Sequence, residues 1–188
     1  MTKPERQIDW AMAREMFRRA FRTSFHYGIA TVDEDGAPHL TPIGSVLLND
    51  PGRGIFFDIF SSQLSQNLDR DPRVCVMAVD SGKSFWLASL IRGRFTAPPA
   101  LRLTGTAGPR RPATPSEQQR WLRRVRPLRR LKGHQLLWGD LTHVRDLIFH
   151  TALPVQLGTM TSNLETQAAA RQAEGDPADG HPLNHHTA

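Results

Sequence analysis

Residues 25–60 read FHYGIATVDEDGAPHLTPIGSVLLNDPGRGIFFDIF, and this stretch decides the fold. Three runs rich in apolar and β-branched residues, at 26–32, 38–48 and 55–60, are separated by two turn sequences. The first turn ends at Gly36, and the chain can reverse there because glycine accepts positive φ at no steric cost. The stretch therefore predicts three antiparallel strands in a meander.

A short helix is predicted directly after this meander, over residues 61–71. Two leucines lie four residues apart there, hydroxyl side chains precede them, and Pro72 ends the pattern before a fourth apolar run at 73–79. The first turn of a helix leaves N–H groups unpaired and carries a partial positive charge, which favours an anion such as a phosphate. Ser61 and Ser62 could donate to that anion or serve only as N-caps, so both interpretations stay open.

Further elements are predicted on both sides of this stretch. Residues 8–22 show the pattern of an amphipathic helix, whereas 85–91 is apolar and ambiguous between strand and helix. Residues 100–107 alternate as in a half-exposed strand. Residues 134–149 indicate a turn followed by a short helix and a strand, and 154–161 indicates a last short strand.

The clearest helix start is the capping box Thr114-Pro-Ser-Glu117. The helix is expected to kink or break at Pro127 and to end at Gly133. It carries a run of cations without an acid among them: Arg120, Arg123, Arg124, Arg126, Arg129, Arg130 and Lys132. With Trp121 among these cations, the helix could bind nucleic-acid phosphates and bases. A solvated helix face is the preferred interpretation, because no recognised nucleic-acid motif accompanies the run.

Length and composition limit the function classes. The 188 residues predict one barrel domain at 25–164, preceded by a helical segment at 1–24 and followed by a disordered tail at 165–188. No stretch approaches the ~20 apolar residues that span a bilayer, and the first residues lack the apolar run of a secretory signal. We therefore expect a cytoplasmic protein without a membrane partner. Cys75 is the only cysteine, which excludes an internal disulfide and a multi-cysteine metal site.

Two polar features have more than one interpretation. Asp58 is a carboxylate within an apolar strand, so it either pairs with an arginine or caps a turn, or it faces a ligand. His181, His185 and His186 in the tail could bind a metal or haem iron. Their spacing is a weak signal, so we expect no metal site.

Two motifs resemble a known family. Residues 28–44 read GIATVDEDGAPHLTPIG, and residues 67–74 read NLDRDPRV. Gly-x-Pro-His after an acidic turn, followed by Asn-Leu-x-x-Asp-Pro-Arg-Val before a strand, resembles the pyridoxamine 5'-phosphate oxidase-like proteins, which are FMN-binding split-barrel flavoproteins. The resemblance covers residues 25–80 and extends to 101–107.

The resemblance implies a mainly β fold with flanking helices. The expected core is a six-stranded antiparallel split barrel, dimeric, with two FMN sites at the interface of the homodimer. The second strand would follow the flavin ring, and the third strand and the following helix start would approach the ribityl phosphate. The implied cofactor-binding residues are Thr41, Pro42, Ile43, Gly44, Ser45, Val46, Phe57, Asp58, Ser61, Ser62, Gln63 and Asn67. No catalytic side chain is implied, because the flavin carries the redox chemistry itself.

The chain departs from the vitamin-processing oxidases in two places. Those oxidases carry adjacent Arg and Lys at the start of the short helix, where this chain has Gln63 and Leu64. The phosphate then lacks two charge-assisted hydrogen bonds, unless an arginine comes from elsewhere in the chain or from the second subunit. The C-terminal arginine motif also has no counterpart, because the last arginine is Arg171. We therefore expect a branch other than the vitamin B6 oxidase itself.

Three functional hypotheses follow. The first is an FMN-dependent oxidoreductase that moves electrons or hydride between a donor, such as a reduced nicotinamide, and a small organic substrate. The alternative is a non-catalytic barrel protein that holds haem, a deazaflavin or another ligand, and the missing basic pair at Gln63 and Leu64 motivates it. The third is nucleic-acid binding by the basic helix.

Overall fold

The computed structural model describes residues 9–164 and 166. Apart from Thr166, the predicted tail lies outside the described residues, and so do its three histidines. The first eight residues of the predicted N-terminal segment also lie outside them. No helix in the described part of the chain is long and apolar enough to cross a membrane.

Five helices and eight strands make up the described chain. The helices are α1 (Trp10–Ser24), α2 (Ser62–Arg70), α3 (Lys83–Arg92), α4 (Pro115–Val125) and α5 (Lys132–Trp138). The strands are β1 (Tyr27–Val32), β2 (Pro38–Ile43), β3 (Leu47–Leu48), β4 (Arg53–Phe57), β5 (Arg73–Val79), β6 (Ala100–Ala107), β7 (Arg111–Pro112) and β8 (His143–Pro154). The expected count of six strands is therefore wrong for this chain. Two of the eight strands have two residues each, and the other six have five to twelve.

All strands belong to one antiparallel sheet that curves into a half-barrel. The strand order is β2-β1-β5-β6-β8-β4-β3, and β7 pairs with β8 outside this path. The long strand β8 pairs with β6 through one part of its length and with β4 through another. A register shift interrupts the β6–β8 pairing at Thr104 and Gly105. A Cβ atom on Gly105 would lie 1.9 Å from the carbonyl oxygen of Ile148, so only glycine allows this close approach.

The core lies between the sheet and the helices α1 and α4. Helix α1 begins after Asp9, whose carboxylate accepts a hydrogen bond from the Met12 N–H (2.9 Å). Its buried face comprises Trp10, Ala13, Met16, Phe17, Ala20 and Phe21. Trp10 is buried, whereas the adjacent Ala11 is exposed. The large aromatic side chains therefore set the rotation of the helix.

Two predicted strands differ from the structure. The run 38–48 is broken into β2 and β3, because the chain leaves the sheet between Gly44 and Val46. The segment predicted as a last strand at 154–161 is instead the end of β8, a connection and a 3₁₀ turn at Gly158–Met160. Gly158 adopts positive φ (56°), which is incompatible with a continuing strand.

The helices after residue 80 differ from the prediction in their bounds. The ambiguous run 85–91 lies within the helix α3. Helix α4 ends at Val125, because Pro127 lacks an N–H donor and the chain tightens there into a 3₁₀ turn at Arg126–Leu128. The expected end at Gly133 is wrong, since Gly133 lies inside the separate helix α5.

The predicted capping box is confirmed. The Thr114 hydroxyl accepts from the Glu117 N–H (3.3 Å), and the Glu117 carboxylate accepts from the Thr114 N–H (2.8 Å). Arg111 also donates to Glu117 (2.8 Å) and to Asp146, so the cap is tied to β8. The Arg111 hydrogen bond is the main reason why the pKa of Glu117 is lowered from 4.5 to about 2, although burial opposes the shift.

This pKa shift gives a stability prediction for Glu117. We expect Glu117→Ala to lower the free energy of unfolding by about 1–2 kcal/mol at neutral pH, because the cap and the ion pair are both lost. Glu117→Gln keeps an acceptor for Thr114 but loses the charge. Since the folded pKa is depressed, the carboxylate stabilises the fold above pH 4.5 and loses this effect as the pH falls towards about 2. Urea unfolding of both variants over this pH interval measures the free energy of unfolding. A Glu117→Gln variant whose loss of stability is the same at every pH would contradict the prediction.

Candidate functional site

A cavity of about 630 Å³ opens where β2 and β4 end and α2 begins. Its walls come from four parts of the chain, including α5 and the residues before it. The lining residues are Phe25, Thr41, Pro42, Ile43, Gly44, Ser45, Phe57, Asp58, Ile59, Phe60, Ser61, Leu128, Leu131, Gly133, His134, Leu137 and Trp138. Most of these side chains are apolar or aromatic, and a few polar groups converge among them, as in sites for organic ligands.

Most of the predicted cofactor-binding residues line this cavity. They are Thr41, Pro42, Ile43, Gly44, Ser45, Phe57, Asp58 and Ser61. Val46 is buried and lines a neighbouring cleft instead. Ser62 and Gln63 are exposed in the first turn of α2, and Asn67 is buried beneath it. The structure therefore brings the end of β2, the end of β4 and Ser61 together, and it leaves these other four residues outside the lining.

The wall formed by residues 44 and 45 is held rigidly. A Cβ atom on Gly44 would lie 2.9 Å from the carbonyl oxygen of Phe25, so the two segments pass too closely for any larger residue. The Ser45 hydroxyl accepts from the Phe57 N–H (3.2 Å) and lies 3.3 Å from the Phe57 carbonyl oxygen, to which it donates. These bonds replace the strand pairing that is lost between β2 and β3 and fix the shape of the cavity wall.

The start of α2 forms the polar end of the cavity. The Ser61 hydroxyl accepts from the Leu64 N–H (3.4 Å), so Ser61 is the N-cap, as one of the two open interpretations predicted. The cap does not use the first N–H groups of the helix, at Ser62 and Gln63, which have no acceptor within the helix. Asn67 supports this turn from below: it donates to the Thr31 hydroxyl (3.1 Å) and accepts from the Gln63 amide (2.9 Å).

Asp58 pairs with a buried arginine. Its carboxylate accepts from Arg145 Nε (2.7 Å) and from the Ser65 hydroxyl (2.8 Å), while Arg145 also bonds to Asp69 (2.7 Å). Burial lowers the pKa of Arg145, but the hydrogen bonds to the two carboxylates raise it by more, so the guanidinium keeps its charge. The arginine-pair interpretation of Asp58 is confirmed, and Asp58 also lines the cavity. The guanidinium offsets the charge of Asp58, although Arg145 is shared with the exposed Asp69.

Helix α5 covers the cavity and was missed as a wall of the site. It contributes His134, Leu137 and Trp138, and the rings of His134 and Trp138 lie 5.1 Å apart in an edge-to-face contact. Phe25, Phe60, Leu131 and Leu137 line the cavity and are each more than half exposed. The spacing of residues 134, 137 and 138 on one helix face was the signal that could have revealed this wall.

The cations of the basic helix do not form a stacking platform. Trp121 is fully buried, so its ring cannot stack on bases. Arg124 donates to the Tyr27 hydroxyl (2.6 Å), and Arg120 contacts the side chain of Asn49. Two of the cations are thus turned towards the sheet, and the solvated-face interpretation holds only for the others, such as Arg129 and Arg130.

Comparison with known proteins shows the family to which this chain belongs. A family model described as pyridoxamine 5'-phosphate oxidase matches residues 16–147. The chain belongs to the pyridoxamine 5'-phosphate oxidase family. The resemblance seen in the two sequence motifs is therefore confirmed. No curated protein matches the sequence.

Solved structures show the same fold at low sequence identity. HupZ from Group A Streptococcus is 17% identical, with a TM-score of 0.51, over 77% of this chain and 94% of that one. An FMN-binding protein from Syntrophomonas wolfei subsp. wolfei is 13% identical, with a TM-score of 0.50, over 79% of this chain and 91% of that one. At these identities the likeness concerns the fold alone.

The first residues of α2 in this chain, Ser62, Gln63 and Leu64, carry no charge. Leu64 is fully buried in the core, and Gln63 is bonded to Asn67. Among residues 9–164, no Lys or Arg lines the cavity. A nearby cation is the exposed Arg110, whose Nε donates to the carbonyl oxygen of Asp58 (3.2 Å).

Proposed function

We propose that the protein is an FMN-dependent oxidoreductase that acts on a small organic substrate. The observation that carries this proposal is the cavity of about 630 Å³, which joins an apolar slot to the start of a helix. A flavin needs a flat apolar slot for its ring, backbone donors at the polar edge of the ring, and an anion site for its phosphate. The family match and the FMN-binding protein of the same fold support the assignment.

The predicted residues take distinct roles in this proposal. Thr41 to Ser45 would follow the ring, and Phe57 would close the slot from β4. The N–H groups of Ser62 and Gln63, together with the Ser61 region, would bind the phosphate at the positive end of α2. Val46 would pack behind the cavity wall, and Asn67 would hold the first turn of α2. When bound, FMN supplies the hydride and electron transfer, and these residues bind it, orient it and exclude water.

Arg110 is the residue that would compensate for the missing basic pair. It is exposed, and its Nε is bonded to the backbone of Asp58, which lines the cavity. A guanidinium has five N–H donors, so the others can still reach an anion bound beside Ser61. In this proposal Arg110 is the arginine from elsewhere in the chain, and an arginine from the second subunit is the other source that the sequence left open.

A homodimer is part of the proposal. The exposed apolar side chains around the cavity, Phe25, Phe60, Leu131 and Leu137, would be covered if a second copy of the chain closed the slot. Family members are expected to build their flavin sites in this way. Size-exclusion chromatography with light scattering measures the mass, and a monomer at the concentrations that saturate with FMN would contradict this part.

Arg110→Gln is expected to weaken FMN binding by about tenfold to a hundredfold. A charge-assisted hydrogen bond contributes ~1.5–3 kcal/mol, and each 1.4 kcal/mol is about tenfold in affinity. Riboflavin lacks the phosphate, so its affinity should not change in the variant. Fluorescence quenching of each flavin during titration measures both affinities. Arg94→Gln, which replaces an exposed arginine outside the cavity lining, is the matched control.

The proposal as a whole is tested by the visible spectrum. We expect the purified protein to bind FMN and to retain flavin absorbance after gel filtration. A protein that stays colourless after incubation with FMN would overturn the assignment. Equal losses of FMN and riboflavin affinity in Arg110→Gln would instead refute only the role of Arg110.

The second candidate is a non-catalytic protein that binds haem, a deazaflavin or another ligand in the same cavity. It is favoured by one observation: His134 lines the cavity and could act as an axial ligand for haem iron. Parallel titrations with haem and FMN distinguish the candidates, since tight FMN binding without a haem band excludes the haem form.

A further inference from the structure

A second cavity, the arginine cleft, lies between α1 and α4 and has a volume of about 590 Å³. Five arginines line it: Arg14, Arg18, Arg22, Arg120 and Arg124. The other lining residues are apolar, among them Phe17, Phe21, Leu47 and Leu48. The cleft therefore combines an apolar floor with a cationic rim, and it contains no carboxylate among its lining residues.

The arginines are arranged as two facing rows. Arg14, Arg18 and Arg22 are four residues apart on α1, so they share one face of the helix. Arg120 and Arg124 have the same spacing on α4. Like charges at this spacing repel one another, so each row is unfavourable unless negative charge lies between the rows.

Little negative charge from the chain itself offsets these rows. Among the described residues, Arg18 is the one member of the cleft that forms an ion pair, with the exposed Glu15 (2.7 Å). Arg14 donates to the carbonyl oxygen of Asn49, and Arg120 contacts the side chain of the same residue. Neutral acceptors thus hold these two guanidinium groups in place without cancelling their charge.

Arg124 is held in place by three contacts within the cleft. It donates to the Tyr27 hydroxyl (2.6 Å) and to the carbonyl oxygen of Val46 (3.3 Å), and its guanidinium carbon lies 4.1 Å from the centre of the Phe21 ring. These contacts orient a half-buried cation before any ligand arrives, which reduces the entropy lost on binding. Its remaining N–H donors are available for an oxyanion.

We propose that the arginine cleft is a binding site for an amphipathic organic anion, with an apolar body and a carboxylate or phosphate head. The apolar body lies on the floor formed by Phe17, Phe21 and the residues of β3, and the head lies between the two rows of arginines. The cleft is distinct from the cavity at α2, although Phe25 and Leu128 line both. The proposal does not depend on FMN binding.

Calorimetric titration of the full-length protein tests this site. The probes are octanoate and octyl phosphate, with octan-1-ol as the uncharged body and inorganic phosphate as the isolated head. We expect one site for at least one of the two amphipathic anions, and binding at least tenfold weaker for octan-1-ol and for inorganic phosphate. The ratio of the octanoate and octyl phosphate affinities identifies the preferred head group.

Matched variants locate the bound anion. The double variant Arg14→Gln and Arg22→Gln should weaken binding at least tenfold, and both side chains are exposed, so the fold should be retained. Arg92→Gln with Arg94→Gln removes the same charge outside the cleft and should leave the affinity unchanged. The proposal is overturned if neither anion binds, if the control pair weakens binding equally, or if Leu137→Ala in the other cavity weakens it while the cleft variant does not.

Discussion

Replacement of Arg145 by methionine is expected to lower the free energy of unfolding by about 3–5 kcal/mol. The methionine would leave the buried Asp58 carboxylate with Ser65 as its remaining partner described here. A carboxylate that is removed from water without a cation loses its solvation and gains too little in return. Since domains of this size have a stability of about 5–15 kcal/mol, the variant is expected to be partly unfolded at elevated temperature.

Two further variants separate the charge effect from the loss of packing. Asp69→Asn removes the second partner of Arg145. The Asp69 side chain is 62% exposed, so this substitution should lower the free energy of unfolding by no more than about 1 kcal/mol. Asp58→Asn combined with Arg145→Met removes both buried charges, so it should be more stable than Arg145→Met alone. Urea midpoints with unchanged slopes measure these differences. Equal destabilisation by Arg145→Met and Asp69→Asn would contradict the proposed importance of the buried pair.

Trp121→Ala is the second substitution with a large expected effect, about 3–5 kcal/mol. The ring is fully buried and contacts Phe21 of α1, Phe57 of β4 and Trp138 of α5, with ring centres 5.7, 6.4 and 5.9 Å away. Its removal opens a void at the junction of three elements. Because Phe57 and Trp138 line the candidate flavin cavity, ligand affinity should fall together with stability.

Trp121→Phe is the matched control for this substitution. The indole Nε1 has no hydrogen-bond partner among the described residues. Phenylalanine removes this unpaired donor, so the relief offsets part of the lost packing. We expect the Phe variant to lose less than half of what the Ala variant loses. Far-UV circular dichroism during urea unfolding is the suitable measurement, because the substitution itself changes tryptophan fluorescence, and similar losses for both variants would contradict the packing argument.

The parts of the fold that could be predicted depend on local chemistry. The Thr114 capping box, the Ser61 N-cap and the strand at 100–107 are each encoded within a few neighbouring residues, and the structure reproduces them. The break at Gly44 could not be predicted in this way. Gly44 lies there against the backbone of Phe25, a contact between separate segments that no local pattern in the sequence marks.

The same distinction applies to the candidate site. The stretch from Thr41 to Ser45 was predicted because the motif resembles a family, and it lies on the cavity wall. Arg145 was not predicted, because it joins Asp58 across β4 and β8 from 87 positions away and no local pattern marks it. The cavity wall formed by α5 was missed because Gly133 was interpreted as a helix end, although glycine near a helix start is also tolerated.

The position of β2 limits how this protein can assemble. It lies at one end of the strand order, and it contains Pro38 and Pro42. Alternate residues of a strand direct their N–H groups to the same side, and proline is accommodated where that side is the free edge. Leu40 is then the one donor left between the two prolines on that edge. A strand added along this edge would lack two of the N–H donors that normally hold it, so the two prolines disfavour extension of the sheet from β2.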